Sequence, residues 1–196
     1  MANGSLESWL YPKLNNCGLK RPLSLSNVLL DDFMVSHVGD FGLAKFLYDY
    51  SDSTSLVGPR GSIGYIAPEY GFGSKISREG DIYSYGIIIL ELLTGKRPAD
   101  EMFNVGLSLH KFVEKAFPRY IGEILYPNII PNLEDDDMGD SLEHRNHATV
   151  GMMSSIMQLV KLGLSCSLET PKDRPTMLDV YAEVIEIKEE LQELCG

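Results

Sequence analysis

The stretch from Ile82 to Leu93 is apolar at nearly every position. Coiled as a helix it has no polar face to offer water, so it has to be buried on all sides. Its longest unbroken apolar run, Ile87 to Leu90, is far short of the ~20 residues that cross a bilayer. The burial must therefore come from the rest of the chain. Ser77 begins the helix, Glu79 and Asp81 lie near its positive end, and Gly95 and Pro98 stop it. The chain is thus predicted to wrap around one central helix.

The other segments supply the wrapping. Ser5 suits the cap of a short helix through Leu10, ended by Pro12. Residues 13–24 are polar and without period. Val28 to Leu30, the Asp31-Asp32 turn signal and Val35 to Val38 read as a β-hairpin. Residues 48–64, rich in Ser, Asp and Gly, read as a long surface loop, and loops of that length inside a compact domain are usually functional. Leu109 to Ala116 is a shorter helix. Glu134 to Asp137 is an acidic loop lacking the Gly and terminal Glu of a Ca²⁺ loop. Ile156, Leu159, Val160, Gly163 and Leu164 recur at helical spacing, and Pro175 suits the first turn of a last helix. That helix carries a stripe of Met177, Val180, Tyr181, Val184, Ile187, Leu191 and Leu194. One hairpin and about five helices make the class mainly α (α+β).

At 196 residues and 44% hydrophobic, the chain suffices for one domain with its own core. A net charge of -11 excludes the usual electrostatics of nucleic-acid or anionic-membrane binding. Cys17, Cys166 and Cys195 are widely separated and lack metal-ligand spacing, so free thiols in a reducing compartment are expected. No basic stretch followed by an apolar one opens the chain. The expected location is cytoplasmic, with no membrane segment in these residues. His110, His144 and His147 are scattered and read as ordinary surface or core residues.

A set of short motifs follows in order. Ser26-Asn27-Val28-Leu29-Leu30 opens the hairpin and Asp40-Phe41-Gly42 closes it. Ala67-Pro68-Glu69 comes after the long loop, Asp81 opens the central helix, and Arg174-Pro175 precedes the last one. Each is weak alone, but five in order and at compatible spacing resemble the signature set of the protein-kinase C-terminal lobe. Finer stretches narrow the likeness. His37 to Lys45, Gly61 to Tyr70, Leu92 to Pro98 and Asp173 to Met177 look like plant receptor-like Ser/Thr kinases of the leucine-rich-repeat type. The resemblance covers residues 1–12 and 25–190. It implies a kinase C-lobe with a small β-hairpin before the Asp-Phe-Gly motif.

The resemblance also implies roles. Asp40 and Asn27 would offer oxygen ligands to the Mg²⁺ ions that accompany ATP. Phe41 and Gly42 would follow Asp40 into an activation segment spanning residues 40–69, with Ser62 where the family usually has Thr and with Ala67, Pro68 and Glu69 at its end. Ser51, Ser53, Thr54 and Ser55 are candidate phosphosites there, because a phosphate can order a loop through an Arg partner. Glu69 and Arg174 would form a buried ion pair, and Asp81 would anchor the backbone of the catalytic loop; both roles are structural.

Part of the family's machinery has no counterpart in these residues. The catalytic loop reads His-x-Asp-Leu-x-x-x-Asn, its Asp being the base. Anchoring on Asn27 puts Pro22 at the Asp position and Ser24 where a Lys serves the γ-phosphate. Residues 13–25 read as an irregular join that skips a long helix and the base together, between a hinge-exit segment with the first C-lobe helix (1–12) and a partial C-lobe (26–194). These residues include no Gly-rich loop, strand Lys or Glu partner of an N-lobe. The expected reading is a protein kinase fragment, of a family that phosphorylates Ser and Thr, impaired or inactive as this chain. Two alternatives stand beside it: a binding module that docks on an intact receptor-like kinase or a protein substrate, and a truncated gene product. Loss of the long helix is expected to leave apolar surface on the central helix exposed and the lobe marginal.

Overall fold

The structure is a computed structural model and describes residues 3–11, 25–39, 63–103, 106–127, 129 and 142–195. It is mostly helical, with one two-stranded hairpin.

Helix α1, Leu6–Leu10, starts at Ser5, whose hydroxyl accepts the Ser8 backbone N–H while Ser8 returns a bond to the Ser5 backbone. A single 3-10 turn, Leu25–Asn27, leads into strand β1, Val28–Leu30. β1 pairs antiparallel with β2, Ser36–Val38, with Val28 opposite Val38 and Leu30 opposite Ser36. Asp31 builds the turn, its Oδ1 accepting the N–H groups of Phe33 and Val35, both at 2.9 Å. The other edge of β1 lies against residues 3–5: Leu30 N–H donates to the Gly4 carbonyl at 2.9 Å and Asn3 N–H to the Leu30 carbonyl at 3.3 Å.

Helix α2 is Pro68–Gly71, and the central helix, α3, is Arg78–Thr94. Ser77 caps α3 by accepting the Gly80 N–H, and Gly95 ends it in the left-handed region at φ 64°, a conformation glycine adopts without steric cost. Helix α4 is Leu109–Ala116, capped by Ser108, and α5 is Ile121–Ile124. Helix α6, Leu142–Cys166, packs along α3, and helix α7, Met177–Cys195, packs along α6. The α3–α6 crossing is close because glycines meet there: a Cβ on Gly86 would stand 2.7 Å from the Cys166 Cβ and 2.8 Å from the Gly163 carbonyl oxygen.

The central helix is buried as its composition demands. Ile82, Ile87, Ile88, Ile89, Leu90 and Leu93 all lie in the core. The expected exposure of apolar surface on it is therefore overturned. Besides α6 and α4, Leu25 and the α1 residues Leu6, Leu10 and Tyr11 pack against the same core.

Two further corrections concern helix ends and length. Pro175 lies before the last helix rather than in its first turn. Thr176 is the residue that faces the helix start, exchanging hydrogen bonds with Asp179. Along α7 the stripe is only partly inward: Val180 and Ile187 are buried, whereas Met177 and Tyr181 are exposed.

Candidate functional site

The hairpin positions Asn27. The Gly39 N–H donates to the Asn27 carbonyl at 2.8 Å, so the β-ladder brings Asn27 beside the residue that precedes Asp40. The Ser26 hydroxyl lies 3.5 Å from Asn27 Oδ1. Asp40, Phe41, Gly42, Pro22, Ser62 and the candidate phosphosites Ser51, Ser53, Thr54 and Ser55 lie outside the described residues. Among the described residues, no group of three His, Cys, Asp or Glu side chains is placed to hold a metal ion. An amide oxygen and a carboxylate are donors of the type that Mg²⁺ takes.

Glu69 and Arg174 are brought together from positions far apart in the chain. Pro68 opens α2 in its first turn, where a missing N–H costs nothing, and so sets Glu69 facing inward. Arg174 donates through Nη1 to Glu69 Oε1 and through Nη2 to Oε2, both at 2.8 Å. The same guanidinium donates to the carbonyls of Leu168, Glu79 and Glu169, and lies over the Tyr83 ring at 5.0 Å. Its side chain is wholly buried. Burial pushes the Glu69 carboxyl up, but the Arg174 hydrogen bonds and charge outweigh it and hold Glu69 below its ordinary value. This is a two-pronged clasp between the start of α2 and the turn before α7.

Asp81 is not joined to these groups. It sits in the first turn of α3, where the protein around its carboxyl removes part of its hydration and raises its pKa. Ala67 is buried just ahead of α2.

A second polar cluster centres on Glu91, a residue that pattern reading passes over. Glu91 is 2% exposed in the most apolar part of α3. Its Oε1 accepts the Tyr11 hydroxyl at 3.0 Å, and its Oε2 accepts the Tyr65 hydroxyl. Tyr65 is held at its other end too, because the Ser84 hydroxyl donates to the Tyr65 carbonyl at 2.8 Å. The signal that marks Glu91 in the sequence is a lone acid inside a helix apolar on every face: such a group must find donors or remain neutral. His110, expected to be an ordinary residue, is buried, with its Nδ1 2.7 Å from the Ser167 hydroxyl.

The model of the protein tyrosine and serine/threonine kinase family matches residues 15–184, and the chain belongs to that family. Within it, the chain is related to plant leucine-rich-repeat receptor-like Ser/Thr kinases. It is 37% identical to the receptor kinase-like protein Xa21 of Oryza sativa subsp. japonica, over 99% of this chain and 22% of that protein. It is 39% identical to a leucine-rich repeat receptor-like serine/threonine-protein kinase of Arabidopsis thaliana, over 86% of this chain and 14% of that one. To the Arabidopsis LRR receptor-like serine/threonine-protein kinase RGI2 it is 34% identical, over 98% and 18%. The chain therefore spans about a fifth or less of the length of these relatives.

The alignments also differ in length. The Xa21 alignment runs over 230 positions against 196 residues in this chain, so at least 34 positions (230 less 196) of the relative have no counterpart here. The 39% identical relative aligns over 168 positions across 86% of the chain, a match without gaps of that size.

Proposed function

We propose that this chain is the C-lobe of a receptor-like Ser/Thr kinase domain that has lost phosphoryl transfer and kept the clasp on its activation segment. The observation that carries the reading is that at least 34 positions of the matched part of Xa21 have no counterpart in this chain. Their place in this reading is the join at residues 13–25, the aperiodic stretch where Pro22 falls at the position of the catalytic base. A catalytic Asp accepts the proton of the attacking hydroxyl as the phosphoryl group moves. Proline has no group that takes a proton. Ser24, at the position of the Lys that serves the γ-phosphate, brings no positive charge.

In this reading Asn27 and Asp40 are what remains of the oxygen donors to Mg²⁺ carried by ATP, which in the family bridges and neutralises the β- and γ-phosphates. Asn27 is held in register by the hairpin, and the Glu69–Arg174 clasp keeps the end of the activation segment on the helical lobe. No proton acceptor completes the set. Purified chain incubated with radiolabelled ATP, Mg²⁺ and a general Ser/Thr substrate is expected to incorporate no more phosphate than its Asp40→Ala variant. Incorporation clearly above that control would overturn the reading.

A second reading, docking on an intact receptor-like kinase, is favoured by the surface around α2. Ile63 and Phe72, on either side of that helix, are 79% and 90% exposed. Saturable binding to the kinase domain of a full-length relative, lost on Phe72→Ser, supports docking. Absence of a complex at micromolar concentration removes it.

A further inference from the structure

The Glu91 cluster joins three segments. Tyr11 is the residue that ends α1, Tyr65 precedes α2, and Glu91 belongs to α3. Each carboxylate oxygen is claimed by one of the two tyrosines. Both donors are uncharged hydroxyls. Among the described residues the cation whose charge acts on Glu91 is Arg97, which donates instead to Glu7 Oε1 on α1 at 2.9 Å and stands over the Tyr11 ring at 4.3 Å. Its Nε is buried with no hydrogen-bond partner among the described residues. The groups facing Glu91 are thus Tyr11 and Glu7 from α1, Tyr65 from the segment before α2, and Arg97 from the segment after α3. Of these only Arg97 is a cation, and Glu7 neutralises it.

We propose that Glu91 is a pH-operated strap: with its proton on, it fastens α1 to the central helix, and on losing the proton it lets the Tyr11 end of α1 open to water. The geometry supplies the reason. Among the described residues no cation is bonded to Glu91, and a carboxylate buried so carries a desolvation cost that two tyrosine hydroxyls only partly offset. Opening at Tyr11 hydrates the charge and removes that cost. The neutral acid has no such incentive.

The direction follows from linkage. Burial pushes Glu91 up from its ordinary 4.5 to about 7, against the hydrogen bonds from Tyr65 and Tyr11 and the Arg97 charge, which pull it down. A carboxyl whose folded value is raised stabilises the closed form fully below its ordinary value, and that stabilisation is lost as pH rises through the folded value. The strap is therefore fastened near pH 5 and loosened by pH 7.5.

Amide hydrogen exchange on the whole chain tests this, because the Tyr11 N–H donates to the Glu7 carbonyl at 2.9 Å and reports whether α1 is closed. After correction for intrinsic exchange, Tyr11 protection is expected to fall at least about tenfold between pH 5 and pH 7.5. In Glu91→Gln, an amide of the same shape that carries no charge, it is expected to stay flat. Equal slopes in the two proteins overturn the proposal. If Glu91→Gln does not fold, the Glu91 side-chain carboxyl carbon shift in the native chain decides, because it is expected to titrate together with the loss of Tyr11 protection. Loss of protection over a pH range in which that carbon does not titrate overturns the proposal.

Discussion

Arg174 spends its whole guanidinium inside the protein, on the two oxygens of Glu69 and three backbone carbonyls. Replacing it by Met keeps much of the volume and strands all of those acceptors. The expected loss is about 3–5 kcal/mol, the usual cost of breaking a buried pair on one side, read as a lowered urea midpoint. Arg174→Lys is expected to recover only part of it, since one ammonium cannot grip both oxygens in parallel. The pH dependence of the clasp runs opposite to that of Glu91. Glu69 is held below its ordinary 4.5, so its contribution is full above that value and is lost as pH falls through the depressed one. The stability gap between the native chain and Glu69→Gln should therefore be widest at neutral pH and shrink below about pH 4. A gap that grows toward acid would show that the clasp is not what the substitution removes.

At the scale of elements, the α3–α6 crossing is a close joint. A methyl group on Gly86 meets the Cys166 Cβ and backbone of α6 rather than the flexible tip of a side chain. Gly86→Ala gains helix propensity of about 1 kcal/mol, but forcing the helices apart costs about 1–3 kcal/mol or more. A net loss in thermal unfolding is expected, and a stabilised variant would mean the helices part without cost. Ser77→Ala removes the α3 cap and is expected to lose about 1 kcal/mol. Both residues lie on the element most legible in the sequence. A run apolar on all sides, bracketed by Ser77 and Gly95, can be little else than a buried helix. The hairpin was legible because the Asp31-Asp32 turn signal separates two short stretches that each open on a valine, Val28 to Leu30 and Val35 to Val38, although β2 starts at Ser36 because Asp31 takes the Val35 N–H into the turn. Helices α2 and α5 have four residues each, too few for a period to emerge, and tertiary contacts hold them. The polar start of α6 hid its length, since Glu143 to His147 carry no apolar stripe. In the candidate site, motif spacing pointed to Glu69 and Arg174. Glu91 escaped because its role depends on Tyr11 and Tyr65, which meet it only in three dimensions.

At the scale of the whole molecule, the question is whether these residues hold nucleotide at all. In kinases the phosphates are gripped from several sides, and the oxygen donors to Mg²⁺ are one part of that grip. These 196 residues carry Asn27 and Asp40 but no strand Lys and no Gly-rich loop ahead of them, and the net charge of -11 opposes a polyanion. The core itself is complete around α3, so a failure to bind would not reflect a failure to fold. Ligand linkage makes the test quantitative. A ligand at a hundred times its dissociation constant stabilises by about 2.7 kcal/mol, which in a domain of this size raises the melting temperature by about 5–10 °C. With 1 mM Mg-ATP the expected rise is under about 1 °C, the same as for Asp40→Ala. That bound corresponds to a dissociation constant no tighter than about 1 mM. A rise of 5 °C that Asp40→Ala abolishes would mean that the remaining donors still form a nucleotide site. On the proposed reading, the loss of phosphoryl transfer would then lie at the position of the base alone, with binding preserved and only the proton left without an acceptor.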